Sequence, residues 1–234
     1  METVLLKLSG ELLKGSRSSS QRVDVAFVRS VAHNIKQLDK THRFHVVVGG
    51  GNFFRGARDG ASAGIRQPIA DSVGMLATVM NGLLLHEIFA SAGISSVVLN
   101  ANPLPGIVAG CEQALIDEAL KNNTLIIFTG GTGNPYVSTD TAAVIRGLQI
   151  GTQTIWKASN VDGVYDTDPA VNKDAHLIKT ISYEDALQRK LHVMDMTAIA
   201  LAQEHKMVLR VFSIFIPDAL LTAAQDKNFG STIQ

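Results

Sequence analysis

The sequence predicts an α/β protein with an open, largely parallel sheet covered by helices on both faces, in one domain spanning residues 1–234. Three observations carry that expectation. Short β-branched runs alternate with longer stretches of helical apolar spacing, a rhythm that calls for right-handed crossovers between parallel strands. Hydrophobic residues make up 46% of the chain and charged residues 18%, which supplies a large core and argues against disorder. Glycine-rich segments follow the predicted strands, where open parallel sheets bind their ligands.

In chain order, Val4–Ser9 opens as a strand. Val23–Leu38 is helical because Val25, Val28, Val31, Ala32 and Ile35 form one stripe. The β-branched run Val46–Val48 is a strand that stops at Gly49-Gly50-Gly51. Asp71–Ala92, rich in Met, Leu and Ala, is one long helix ended by Gly93. Ser96–Leu99 and Thr124–Phe128 are strands on either side of a helix over Glu112–Lys121. Beyond Gly130–Pro135, Thr139–Gln149 is helical and Gln153–Lys157 is a strand. Helices at Tyr183–Arg189 and Thr197–His205, a strand at Val208–Ser213 and a helix from Pro217 complete the pattern. Gly15–Gln21 and Arg55–Gln67 read as basic, mobile loops.

Composition excludes several classes. Lys and Arg number 21, as do Asp and Glu, so the charge footprint of a nucleic-acid binder is missing. The single cysteine, Cys111, excludes an intrachain disulfide or a cysteine-cluster metal site and reads as a buried, reduced thiol. Met1-Glu2-Thr3-Val4 is not a secretory leader, and no apolar run reaches the roughly 18–20 residues of a membrane span. The expectation is a soluble cytoplasmic protein with no membrane or nucleic-acid partner.

Familiar motifs fail on single residues. Gly10 and Gly15 have phosphate-loop spacing, but Ser16-Arg17 stands where Lys-Ser/Thr is needed. Phe54 occupies the third glycine position of a dinucleotide fingerprint, and Ala90 stands where a zinc protease would have its second histidine after His86-Glu87. His42 and His45 have no neighbours that complete a metal site.

Four segments remain. Lys7-Leu8-Ser9-Gly10 puts a lysine in a strand, either facing water at an edge or paired with a bound anion. Gly49–Gly56 follows a buried strand, so its amides can approach a phosphate and Arg55 can add a bidentate fork. Thr129–Thr141 combines free amides with the hydroxyls of Thr132, Ser138 and Thr139 at a helix N-terminus. Asp140 there either caps the helix or needs a cation, an ammonium or a ribose hydroxyl. Lys157–Pro169 carries ordinary turn signals, with Lys157 at a strand end repeating the puzzle of Lys7. Cations, amide cradles and one carboxylate at a single sheet edge suit phosphoryl transfer. These residues alone leave open the acceptor, a carboxylate or carbamate included, and a binding protein without turnover.

The chain resembles the bacterial UMP kinases of the amino acid kinase superfamily in LLKLSGE (5–11), GGGNFFRG (49–56), GMLATVMN (74–81), GGTGNPYVSTDTAA (130–143), KASNVDGVYDTDP (157–169) and VMDMTAIALA (193–202). The resemblance implies a three-layer αβα sandwich, Mg²⁺-bound ATP as donor, UMP as acceptor and a homohexamer. It also implies inhibition by UTP and a cytoplasmic role in pyrimidine nucleotide biosynthesis. By resemblance, Lys7, Leu8, Ser9 and Gly10 meet the ATP phosphates with Gly51 and Arg55 beside them, and Ser159, Tyr165 and Asp168 lie on the ATP nucleoside side. Gly50 matches a UMP contact and Asp71 the carboxylate that holds the UMP ribose. The strip Thr132, Gly133, Asn134, Pro135, Tyr136, Val137, Ser138 and Thr139 matches the lining of the UMP site. Lys7, Arg55 and Asp140 form the implied catalytic group, two cations and an orienting carboxylate, with no metal held by the chain itself. Four departures stand out: Ser159 for the usual Thr, Val73 for a common Met, an apolar Phe212–Asp218 stretch, and Arg17–Arg22 without the glycines of many relatives. GTP activation is therefore not carried over.

Overall fold

The computed structural model describes residues 1–16, 20–167, 169, 171–191 and 194–234. Its strands are β1 (Glu2–Leu8), β2 (His42–Val48), β3 (Ser96–Asn100), β4 (Ala109–Gly110), β5 (Leu125–Thr129), β6 (Thr154–Ser159), β7 (Val164–Tyr165), β8 (Leu177–Ile178), β9 (Thr180–Ile181), β10 (Val208–Ser213) and β11 (Ser231–Ile233). The helices are α1 (Val25–Gln37), α2 (Gln67–Ser91), α3 (Gln113–Lys121), α4 (Thr139–Gln149), α5 (Tyr183–Gln188), α6 (Met196–Glu204) and α7 (Ala219–Gln225).

Nine strands form one sheet in the order β4-β3-β5-β2-β1-β6-β10-β11-β9, with β10–β11 its antiparallel pair. β1 is central because it is apolar on both faces: Val4, Leu5, Leu6 and Leu8 are all buried. Val4, Leu6 and Leu8 face a core with α1, α2 and α7, whereas Leu5 faces a second core with α3, α4 and α6. Lys7 shares the Leu5 face by strand alternation. It is 5% exposed in a central strand, so the edge-strand alternative does not hold. The chain leaves β1 for β2 on one side and returns to β6 on the other, so β1 stands at the topological switch where such sheets bind ligands.

The structure moves several sequence expectations. α2 starts at Gln67 rather than Asp71, because Pro68 fits the first turn of a helix, where its missing N–H costs nothing. Part of the expected loop Arg55–Gln67 is a turn of π-helix at Gly56–Gly60, and Gly10–Lys14 forms a 3₁₀ turn. β2 reaches back to His42, and two- or three-residue strands that no periodicity announces complete the sheet edges and the β7–β8 hairpin. Cys111 is half-buried rather than buried, and burial pushes its thiol up to about 11. Among the described helices α2 is long and apolar enough to cross a membrane by length and composition, unlike the sequence expectation. Its Val79, Leu85 and Phe89 pack instead in the sheet core.

Candidate active site

Lys7 and Lys157 are register partners on β1 and β6, so their side chains leave the sheet side by side on one face. Two such ammonium groups need an anion between them. Asp140, the second residue of α4, supplies it: Oδ1 lies 2.6 Å from Lys7 Nζ and Oδ2 lies 2.7 Å from Lys157 Nζ. Burial alone would push the Asp140 carboxyl up, but the charges of Lys7 and Lys157 outweigh it and hold the group at about 2. Burial also pushes the Lys157 ammonium below its ordinary value, against the pull of Asp140. Capping of α4 falls to Ser138, whose Oγ accepts from the Asp140 N–H at 3.0 Å. That settles the sequence alternative for Asp140 in favour of an ammonium partner.

Arg55 stands apart from this group. Its Nε lies 3.5 Å from Glu11 Oε1 beside Gly51, with its side chain 53% exposed. The structure thus differs from the expected grouping of Lys7, Arg55 and Asp140: the second cation on Asp140 is Lys157, which strand register delivers. A second lysine at a strand end, repeating the puzzle of Lys7, is the sequence signal that points to it.

A cleft of about 390 Å³ opens beside the glycine loops, with Gly50, Gly51, Arg55, Asp71, Thr78, Asn134, Val137, Ser138 and Thr139 on its walls. The strip after β5 is bent by Gly130, Gly131 and Gly133, all at positive φ. Within it, Thr132 Oγ1 accepts from the Asn134 N–H at 3.3 Å, and the Gly133 N–H donates to the Gly130 carbonyl at 2.9 Å. Thr132, Gly133, Pro135 and Tyr136 are not on the cleft wall. Tyr136 is left-handed at φ 67° and 75% exposed, and its N–H donates to Asp71 Oδ2 at 2.9 Å. Asp71 Oδ1 accepts from Gln67 Nε2 at 2.7 Å.

A second cavity of about 430 Å³ contains Lys157, Ser159, Tyr165 and, unforeseen, Arg189 and Lys190. Tyr165 Oη donates to Asp162 Oδ1 at 2.6 Å, while Ser159 Oγ accepts from the Val161 N–H at 3.2 Å. Asp168 lies outside the described residues. Ser9 precedes the 3₁₀ turn, and Gly10 is required by close approach: a Cβ there would sit 2.5 Å from Asn52 Oδ1 and 2.6 Å from Gly51 N. The Leu8 side chain belongs to the core, so its backbone alone can face a ligand. Asp195, also missed, caps α6 and accepts from Thr141 Oγ1 at 2.9 Å and from Ser138 Oγ, tying α6 to the start of α4. No cluster of three His, Cys, Asp or Glu side chains suited to a metal occurs among the described residues.

An ammonium-bridged carboxylate between two nucleotide-sized cavities defines a phosphotransferase-like site on an open parallel sheet. Residues 2–213 match the amino acid kinase family, and the chain belongs to that family. It is 41% identical over 233 residues to the uridylate kinase of Serratia proteamaculans (strain 568), covering 99% of this chain and 95% of that protein. The structure is similar to the UMP kinase of Ureaplasma parvum, with a TM-score of 0.93, 33% identity and coverage of 100% and 98% of the two chains. For the UMP kinase of Bacillus anthracis the TM-score is 0.92, with 29% identity and coverage of 100% and 96%.

Proposed function

We propose that the chain is a UMP kinase, reversibly transferring the γ-phosphoryl group of ATP to UMP to give UDP and ADP. The observation that carries the chemistry is the Lys7–Asp140–Lys157 bridge. Lys157 lines the second cavity, and Ser138 and Thr139, immediately before Asp140, line the cleft. The identity of the acceptor rests on the uridylate and UMP kinase relatives.

In this reading ATP enters on the Ser159–Tyr165 side and its phosphates meet Lys7, the backbone of Leu8, Ser9, Gly10 and Gly51, and Lys157. UMP lies in the cleft against Gly50, with its ribose on Asp71 and its base along Asn134 and Val137–Thr139. Asp140 fixes the two lysines where negative charge accumulates on the transferring phosphoryl, and Arg55 adds a cation from the rim. The attacking UMP phosphate oxygen is ionised at neutral pH, so no general base is required. Both Asp140 oxygens are taken by ammonium groups, so this carboxylate suits orienting cations rather than ligating a metal. Mg²⁺ would be held by the ATP phosphates, where it spreads their charge.

The same reading makes residues 1–234 one cytoplasmic enzyme of pyrimidine nucleotide biosynthesis that assembles as a homohexamer and is inhibited by UTP. Self-association is supported by Ile69, Val73, Leu76, Met80, Leu83 and Leu84, an exposed apolar stripe along α2. The test is UDP formation from ATP and UMP, with CMP and dCMP as control acceptors. UDP as the main product supports the reading. Turnover only with a carboxylate or carbamate acceptor, or nucleotide binding without turnover, overturns it.

A further inference from the structure

We infer that Thr78 and Asn81 are positioning residues, a pair on one face of α2 that sets the spacing of the two glycine loops for phosphoryl transfer. The inference rests on the UMP kinase reading. Three residues apart on a helix, both side chains point the same way, and both are buried, at 2% and 0% exposure. Polar groups at such depth in an apolar helix must be fully paired. Every bond they make beyond their own helix goes to one of the loops.

Asn81 holds the first loop. Its Nδ2 donates to the Gly49 carbonyl at 2.7 Å and to Asn52 Oδ1 at 2.7 Å, while its Oδ1 accepts from Asn52 Nδ2 at 2.9 Å. Asn52 is itself fully buried, and its Nδ2 also donates to the Arg22 carbonyl at 2.8 Å. Arg22 Nη1 returns a bond to the Asn52 carbonyl at 2.8 Å. The amide pair thus brackets Gly50 and Gly51, two residues on the cleft wall, and fixes their backbone from both ends. Thr78, which also lines the cleft, holds the second loop with a hydroxyl already shared between two backbone groups. Its Oγ1 accepts from the Gly130 N–H at 2.6 Å and donates to the Met75 carbonyl at 2.6 Å. Gly130 is the hinge from which the strip to Thr139 departs, at φ 74°. Neither α2 residue is needed to hold the helix on the sheet, since Val79, Leu85 and Phe89 do that. Their bonds instead determine where the amides of both loops point.

The experiment measures UDP formation and thermal unfolding for wild type, Asn81→Ala, Thr78→Val and Thr78→Ser. Misplacing a loop by about 1 Å can cost about a hundredfold, so Asn81→Ala should lower kcat by roughly ten- to a hundredfold. Thr78→Val should raise the UMP KM about tenfold while the ATP KM changes less than about twofold, because Gly130 leads into the acceptor strip alone. Thr78→Ser keeps the acceptor oxygen and should restore the UMP KM. Asn81→Ala orphans a buried carbonyl and can unfold the protein, so the Thr78 pair decides in that event. A folded Thr78→Val with wild-type constants, or one in which Ser fails to rescue, overturns the positioning role. A wild-type protein that makes no UDP overturns the kinase reading and this inference with it, whereas active, unaltered variants overturn the inference alone.

Discussion

Asp140→Asn removes the charge between Lys7 and Lys157 and keeps the shape of the side chain. A carboxyl held at about 2 rather than its ordinary 3.8 contributes about 2 kcal/mol to folding at neutral pH. The variant also leaves two ammonium groups facing each other on paired strands, and breaking a buried ion pair in this way costs about 3–5 kcal/mol. That larger figure is an upper bound, because the Lys157 ammonium, already pushed down by burial, can shed its proton and relieve the repulsion. The expected loss therefore lies between the two values, at about 3 kcal/mol.

The pH dependence carries the sharper test. The folded carboxyl is depressed, so its stabilisation is complete above about pH 4, where an unfolded aspartate is ionised, and is lost as the pH falls toward 2. A protonated aspartic acid is nearly the isostere of asparagine. Urea unfolding of wild type and variant should accordingly differ most at pH 6–7 and converge on acidification. Single-turnover UDP formation should fall on the order of 10²–10³-fold at pH 7, because the lysines lose their common anchor. A stability gap that stays constant with pH, or near-normal turnover, would refute the bridge as the organising element.

Arg55→Ala should lower kcat by roughly 10²–10³-fold with an unfolding midpoint close to wild type, because its side chain is exposed and its Glu11 contact is long. Lys7→Met should cost at least as much activity and still fold, with Asp140 retained by Lys157; normal turnover in either variant would remove that residue from the reaction. Asp71→Asn should weaken UMP by about 1.5–3 kcal/mol of charged hydrogen bonding and leave ATP nearly unchanged. Equal losses for both substrates would assign Asp71 to its Tyr136 and Gln67 contacts instead. Arg210→Met should destabilise the fold by about 2–4 kcal/mol at unchanged KM values. Its guanidinium donates to the carbonyls of Ala223, Asp226 and Phe229 at the end of α7 and lies over Trp156; a matching loss of substrate affinity would contradict that purely structural role.

What could be read from the chain beforehand is local, and what could not is register. The glycine loops are legible because three glycines after a strand permit close backbone approach, and in the structure Gly10 lies pressed on Gly51. β1 was legible as a strand, but Lys7 fits an edge or a centre equally until β2 and β6 flank it. Lys157 is 150 residues away, and the parallel pairing of β1 with β6 is what makes it the neighbour of Lys7. A one-residue slip would turn it to the opposite core. α2 shows the same limit: Thr78 and Asn81 look like polar interruptions of an apolar helix until both loops arrive at their side chains. Its start is hidden in the sequence for a physical reason as well. Pro68 looks like a loop residue, but in the first turn it lets the helix begin at Gln67 and places Asp71 a full turn inside. From there the Asp71 carboxylate reaches the N–H of Tyr136 on the strip after β5, so this one helix holds the cleft at its rim as well as at its base.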